Sequence, residues 1–141
     1  MKIILTIFLS VFLVKSCDKE LNAEMRKANI EYTAVSRGFY LNINIQDEKL
    51  LIVRKRDENA REYTLTKNDW KAIADLYKKI QIEKLPTYKD PTQKRFYDGA
   101  AIANLRVTYD GETYETQGFD HGNPPVEIEK FVNKIVSFAT E

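Results

Sequence analysis

Between residues 30 and 65 the chain alternates apolar and polar positions with period two, the pattern of strands that bury one face. Phe39, Leu41, Ile43 and Ile45 take one side, and Tyr40, Asn42, Asn44 and Gln46 the other. Asp47-Glu48-Lys49 breaks the alternation as a polar turn, and residues 50–55 return as a hairpin partner, with Leu50 and Ile52 or Leu51 and Val53 inward. Residues 62–65 extend this meander, and residues 30–35 add an edge strand before it. The period then changes. Thr66-Lys67-Asn68-Asp69 has the form of a helix-capping box, and Trp70, Ile73, Ala74, Tyr77 and Ile80 fall on one helical stripe. Alternation resumes with Ala101, Ala103, Leu105, Val107 and Tyr109. Asp110-Gly111 follows, a two-residue turn in which both positions take positive φ, and residues 112–119 pair back. That turn places Val107 opposite Tyr114, Leu105 opposite Thr116 and Arg106 opposite Glu115. Pro125 opens a last helix whose apolar stripe is Ile128, Phe131, Val132, Ile135, Phe138 and Ala139. The pattern predicts an α+β domain, a mostly antiparallel sheet in the order β-β-β-α-β-β-α with both helices on one face.

Residues 1–17 follow no such pattern. Lys2 precedes an apolar run over residues 3–14, which Lys15-Ser16-Cys17 closes. A run of about 12 residues is too short to span a bilayer, which takes roughly 20. Val14-Lys15-Ser16-Cys17 resembles the lipobox of bacterial lipoproteins, with an aliphatic residue three before the cysteine and a small residue just before it; Lys15 departs from the usual small or aliphatic residue at its place. The resemblance implies cleavage by the lipoprotein signal peptidase, lipidation of Cys17 with fatty acyl chains, and a membrane partner reached through that lipid. The expected divisions are a signal peptide over residues 1–16, a lipidated cysteine and charged tether over residues 17–29, and one domain over residues 30–141.

Removal of the leader takes away Lys2 and Lys15, so the formal charge of +1 becomes about −1. A nearly neutral exported domain offers no nucleic-acid reading. About 40 % of the mature chain is apolar, enough for one modest core. Cys17 is the only cysteine, so the domain forms no disulfide within itself and depends on its core.

Residues 85–98 form the least regular stretch, rich in rigid aromatics and long cations that suit a partner: Tyr88, Lys94, Arg95, Phe96 and Tyr97. Three segments place charge or glycine where strands begin or end: Ser36-Arg37-Gly38, Tyr97-Asp98-Gly99 and Asp120-His121-Gly122-Asn123. One reading pairs Arg37 with Asp98 or Asp120 and ties the two hairpins together. A second makes His121 a general base oriented by Asp120 or Asp98, with Ser36 or water as nucleophile, in a small hydrolase. A metal site on Asp98, Asp120 and His121 has suitable donors but no diagnostic spacing. A bland reading makes Asp120-His121-Gly122-Asn123-Pro124-Pro125 a rigid turn. Without a phosphate-binding glycine loop or a redox cysteine pair, no cofactor is expected.

The lipobox-like junction together with Arg37-Gly38-Phe39, Asp98-Gly99 and residues 119–125 is similar to small lipoproteins of Gram-negative envelopes. That resemblance implies an envelope address, the outer membrane preferred over the inner, and no particular activity. The expected role is a non-enzymatic binding domain for an envelope protein, peptide or glycan, using Arg37, Tyr88, Lys94, Arg95, Tyr97, Asp98, Asp120 and His121. The small hydrolase stands as the alternative.

Overall fold

The computed structural model describes residues 23–140. The leader and Cys17 lie outside the described residues. No described helix is long and apolar enough to cross a membrane.

Seven strands form one antiparallel sheet: β1 (Asn29–Val35), β2 (Tyr40–Gln46), β3 (Lys49–Val53), β4 (Arg61–Thr64), β5 (Ile102–Tyr109), β6 (Glu112–Glu115) and the two-residue β7 (Phe119–Asp120). The spatial order is β4-β3-β2-β1-β5-β6, with β7 also on β5. Helix α1 (Lys67–Tyr77) follows β4 and α2 (Glu129–Ser137) follows β7. The chain is therefore α+β, as its periodicity predicts.

Alternation sets which face is buried. Ile30, Tyr32 and Ala34 of β1 lie in register with Ile45, Ile43 and Leu41 of β2 on one side and with Val107, Leu105 and Ala103 of β5 on the other. All are buried beneath the helices. Leu50 and Ile52 continue the layer, which settles the inward pair of β3. Trp70, Ile73, Ala74 and Tyr77 of α1 and Phe131, Val132 and Ile135 of α2 cover it, and the Tyr77 and Phe131 rings meet at 6.1 Å. The Thr66 side chain caps α1 by accepting from the Asp69 amide at 3.1 Å. The opposite face is polar, and on it Arg106 bridges Glu31 and Glu115.

Three expectations change. Residues 30–35 are not an edge strand: β1 is central, hydrogen-bonded along both sides by β2 and β5. Packing begins before residue 30. Residues 23–27 are helical, Met25 and Ala28 are each 1 % exposed, and Arg26 reaches Glu48 at 2.8 Å. The expected return strand over residues 112–119 is split in two at Thr116. There the buried Thr116 hydroxyl, rather than a backbone carbonyl, accepts the Leu105 amide at 3.0 Å while the Thr116 amide donates to the Leu105 carbonyl.

Candidate functional site

One end of the sheet gathers the β1–β2 loop, the residues leading into β5, and β7, because Val35 pairs with Ile102 and Ile102 with Asp120. Residues 85–98 run to this end as two 3-10 turns, Ile82–Thr87 and Lys94–Tyr97, rather than as structureless loop. The second stops at Asp98, which adopts φ 59° and turns the chain back so that the Gly99 amide donates to the Lys94 carbonyl at 2.8 Å. A Cβ on Gly99 would stand 3.1 Å from Lys94 Cβ and from the Lys94 carbonyl oxygen and 3.2 Å from the Tyr97 ring, so a larger residue would push the turn by a few tenths of an ångström.

Asp120 holds this turn in place. Its carboxylate is fully buried and accepts from the Thr92 hydroxyl at 2.6 Å, the Lys94 amide at 2.7 Å, the Arg95 amide at 3.0 Å and Arg95 Nη1 at 3.2 Å. Arg95 Nη1 also meets Asp90 at 2.8 Å. Burial alone would raise the Asp120 carboxyl; the donors of Thr92, Arg95 and Lys94 outweigh it and hold the group at about 2. The expected pairing of Arg37 with Asp98 or Asp120 is replaced: the counter-ion of Asp120 is Arg95. Arg95 is correspondingly not a free cation, since its side chain is 10 % exposed and its guanidinium lies 4.4 Å from the centre of the Phe96 ring.

His121 points elsewhere. Its Nδ1 lies 2.7 Å from the Tyr32 hydroxyl, and its ring lies 5.0 Å from that of Phe39. The Tyr32 hydroxyl has no other hydrogen bond among the described residues, so the contact with Nδ1 is the one that satisfies it. Burial lowers the His121 pKa and raises that of Tyr32, which keeps both neutral at pH 7. Among the described residues neither Asp98 nor Asp120 hydrogen-bonds to His121, so the adjacent Asp120-His121 pair is no acid–base dyad. Nor do Asp98, Asp120 and His121 come together as a group able to hold a metal.

The structure does bring Ser36, Arg37 and Gly38 together with Asp98 and Gly99. Together with Ala100 and Ala101 they line one open cleft of about 390 Å³. Arg37 and Asp98 both line this cleft without an ion pair between them, so it carries one cation and one anion. Phe96 and Tyr97, 71 % and 73 % exposed, stand on the turn that leads to Asp98, and Phe39, 40 % exposed, directly follows Gly38 in the chain. Tyr88 sits apart, packed against the core, with its hydroxyl 3.5 Å from the Gln81 carbonyl. Lys94 contributes its backbone to Asp120.

Thr92 and Asp90, the residues that complete the Asp120 anchor, escaped the sequence reading, as did Tyr32. The signal for the first two is the run Asp90-Pro91-Thr92-Gln93-Lys94-Arg95, where an acid, a hydroxyl and a cation fall within one turn before an exposed aromatic pair. Tyr32 carries no such mark, because its hydroxyl sits on a core position of a strand.

No family model matches the chain, and no curated protein or solved structure matches it significantly.

Proposed function

We propose that this chain is a membrane-anchored envelope lipoprotein whose domain is a non-enzymatic binding module for a protein, peptide or glycan. The observation that carries the binding reading is that a buried carboxylate, Asp120, fixes a turn whose outer residues, Phe96 and Tyr97, remain largely exposed. A fixed aromatic pair loses little conformational entropy on contact, which favours recognition surfaces. The cleft beside it offers Arg37 for a carboxylate or sugar hydroxyl and Asp98 for an amine or hydroxyl. The lipid anchor on Cys17 rests on the sequence of residues 1–17, and the outer-membrane address on the looser resemblance of the whole chain to small envelope lipoproteins.

A photo-crosslinking residue at position 97 in the native envelope tests the binding role. One adduct that Phe96→Ala and Arg37→Ala each deplete supports it; absence of any adduct, or adducts indifferent to both substitutions, overturns it. Mass spectrometry of the mature N-terminus tests the address, with diacylglyceryl and acyl mass on Cys17 expected and an unmodified Cys17 refuting it.

A further inference from the structure

His121 links the two chain segments that supply the cleft. Its backbone amide donates at 3.0 Å to the carbonyl of Ala101, one of the cleft residues. Its ring lies 5.0 Å from that of Phe39. Phe39 in turn closes the β1–β2 loop, because its carbonyl accepts the Ser36 amide at 2.9 Å, and the loop so closed brings Ser36, Arg37 and Gly38 to the cleft. The remaining contact of the imidazole runs inward. Tyr32 is fully buried on the central strand β1, and its hydroxyl meets His121 Nδ1 at 2.7 Å and no other partner among the described residues.

That contact depends on the charge of the ring. A neutral imidazole can offer Nδ1 as an acceptor for the phenol, whereas an imidazolium carries a proton on both nitrogens and accepts from nothing. Protonation therefore leaves the Tyr32 proton without an acceptor in the core and sets a charge where water is only partly available. Turning the ring outward relieves the charge, and His121 is half-buried rather than enclosed. No carboxylate holds the imidazolium in place. Tyr32 is the titratable group against the ring; Asp120 is engaged by residues 92–95, and Arg37 and Asp98 of the neighbouring cleft neither hydrogen-bond to nor pair with His121 among the described residues.

We infer that His121 is a proton-sensitive latch on the cleft. Neutral, it ties Phe39 and Ala101 to Tyr32 and keeps the β1–β2 loop in place; protonated, it leaves Tyr32 and Phe39, and the loop that carries Arg37 loosens. His121 is thus a positioning residue, acting on the cleft through its neighbours. The consequence for capture, that it weakens in acid, rests on the binding role proposed for this cleft; the movement of the loop does not.

His121 is the only histidine, so its ring resonances are unambiguous in NMR spectra of the full chain titrated between pH 7.5 and 5. The amides of Gly38, Phe39 and Ala101 are expected to shift with the midpoint of the ring, below the ordinary 6.5 because burial lowers it, while the Gly111 amide at the other end of β5 stays still. Tyr32→Phe removes the hydroxyl that favours the neutral ring, so the ring midpoint rises and the cleft amides follow it. His121→Gln abolishes their transition. Far-ultraviolet circular dichroism checks the fold, and Tyr32→Phe, which keeps an aromatic ring in the core, carries the test by itself if His121→Gln does not fold. Cleft amides that ignore the ring midpoint, that titrate equally in His121→Gln, or that keep their midpoint in Tyr32→Phe overturn the inference. Photo-crosslinking from position 97 at pH 7.5 and 5.5 reads the consequence: a several-fold lower adduct yield at the lower pH is expected in the parent and not in His121→Gln. Equal yields at both pH values in the parent overturn the regulation, whereas absence of adduct at either pH refutes the binding role and leaves the amide titration to decide the latch.

Discussion

Replacing Asp120 with alanine removes the acceptor of four hydrogen bonds, from the Thr92 hydroxyl, the Lys94 and Arg95 amides and the Arg95 guanidinium. Left buried, each neutral donor would cost about 1–3 kcal/mol. Residues 92–97 are half-buried or exposed, however, so the turn can swing into water and recover part of that loss. Arg95 also keeps Asp90 at 2.8 Å. The expected net cost is therefore about 2–4 kcal/mol, a drop in Tm of roughly 8–15 °C for a domain of this size. Asp120→Asn preserves shape, but its amide group must face one pair of donors, so about 1.5–3 kcal/mol is expected there.

Urea denaturation at pH 7 measures both values. Acid supplies an independent signature. A carboxyl held at about 2 in the folded protein against an ordinary 3.8 stabilises fully above the ordinary value and loses that contribution as pH falls towards 2. The stability gap between the parent and Asp120→Ala must therefore narrow between those pH values. Because the turn is the part released, tryptic cleavage after Lys94 and Arg95 should quicken in the variant before the core unfolds. If the urea midpoint, the acid dependence and the cleavage rate all match the parent, Asp120 does not anchor the turn and the supported aromatic surface loses its physical basis.

Two further outcomes follow from single residues. His121 has a lowered folded pKa from burial, so the unfolded chain binds its proton first and the folded protein loses stability as pH falls below the ordinary 6.5. His121→Gln should flatten the stability profile in that window, which urea titrations between pH 7 and 5 would measure, and an unchanged slope would refute the assignment. Gly111 holds φ 78° in the β5–β6 turn, so Gly111→Ala should destabilise by about 1 kcal/mol through backbone strain alone, its Cβ meeting nothing within 4 Å. A neutral effect in thermal melts would show that the turn relaxes to another type.

The faces of the strands were legible in the sequence because each long strand buries one side, and a period of two records that directly. Position in the sheet was not. Ile30, Tyr32 and Ala34 alternate in the same way whether β1 lies at an edge or in the middle, and the difference rests on β5 returning from more than 60 residues away to pair along it. The break at Thr116 was hidden for a related reason: threonine suits a strand, and only the geometry shows its hydroxyl standing in for a backbone acceptor.

At the site, Arg37, Gly38, Asp98 and Gly99 line one cleft while residues 120–123, grouped with them by strand-end position, do not, and neighbours in sequence gave the wrong partners. Asp120 and His121 are adjacent, yet Asp120 ends β7 and His121 opens the turn that follows it. One therefore reaches the turn formed by residues 92–95, and the other reaches Tyr32 and Phe39. The end of β7 thus divides the one pair that suggested catalysis. Asp120 becomes a support for the exposed aromatics, and His121 becomes a partner for a buried phenol. The charges that still line the cleft at this end of the sheet, Arg37 and Asp98, form no ion pair with each other, so neither partner that adjacency or charge suggested for Asp120 and His121 is the one the fold supplies.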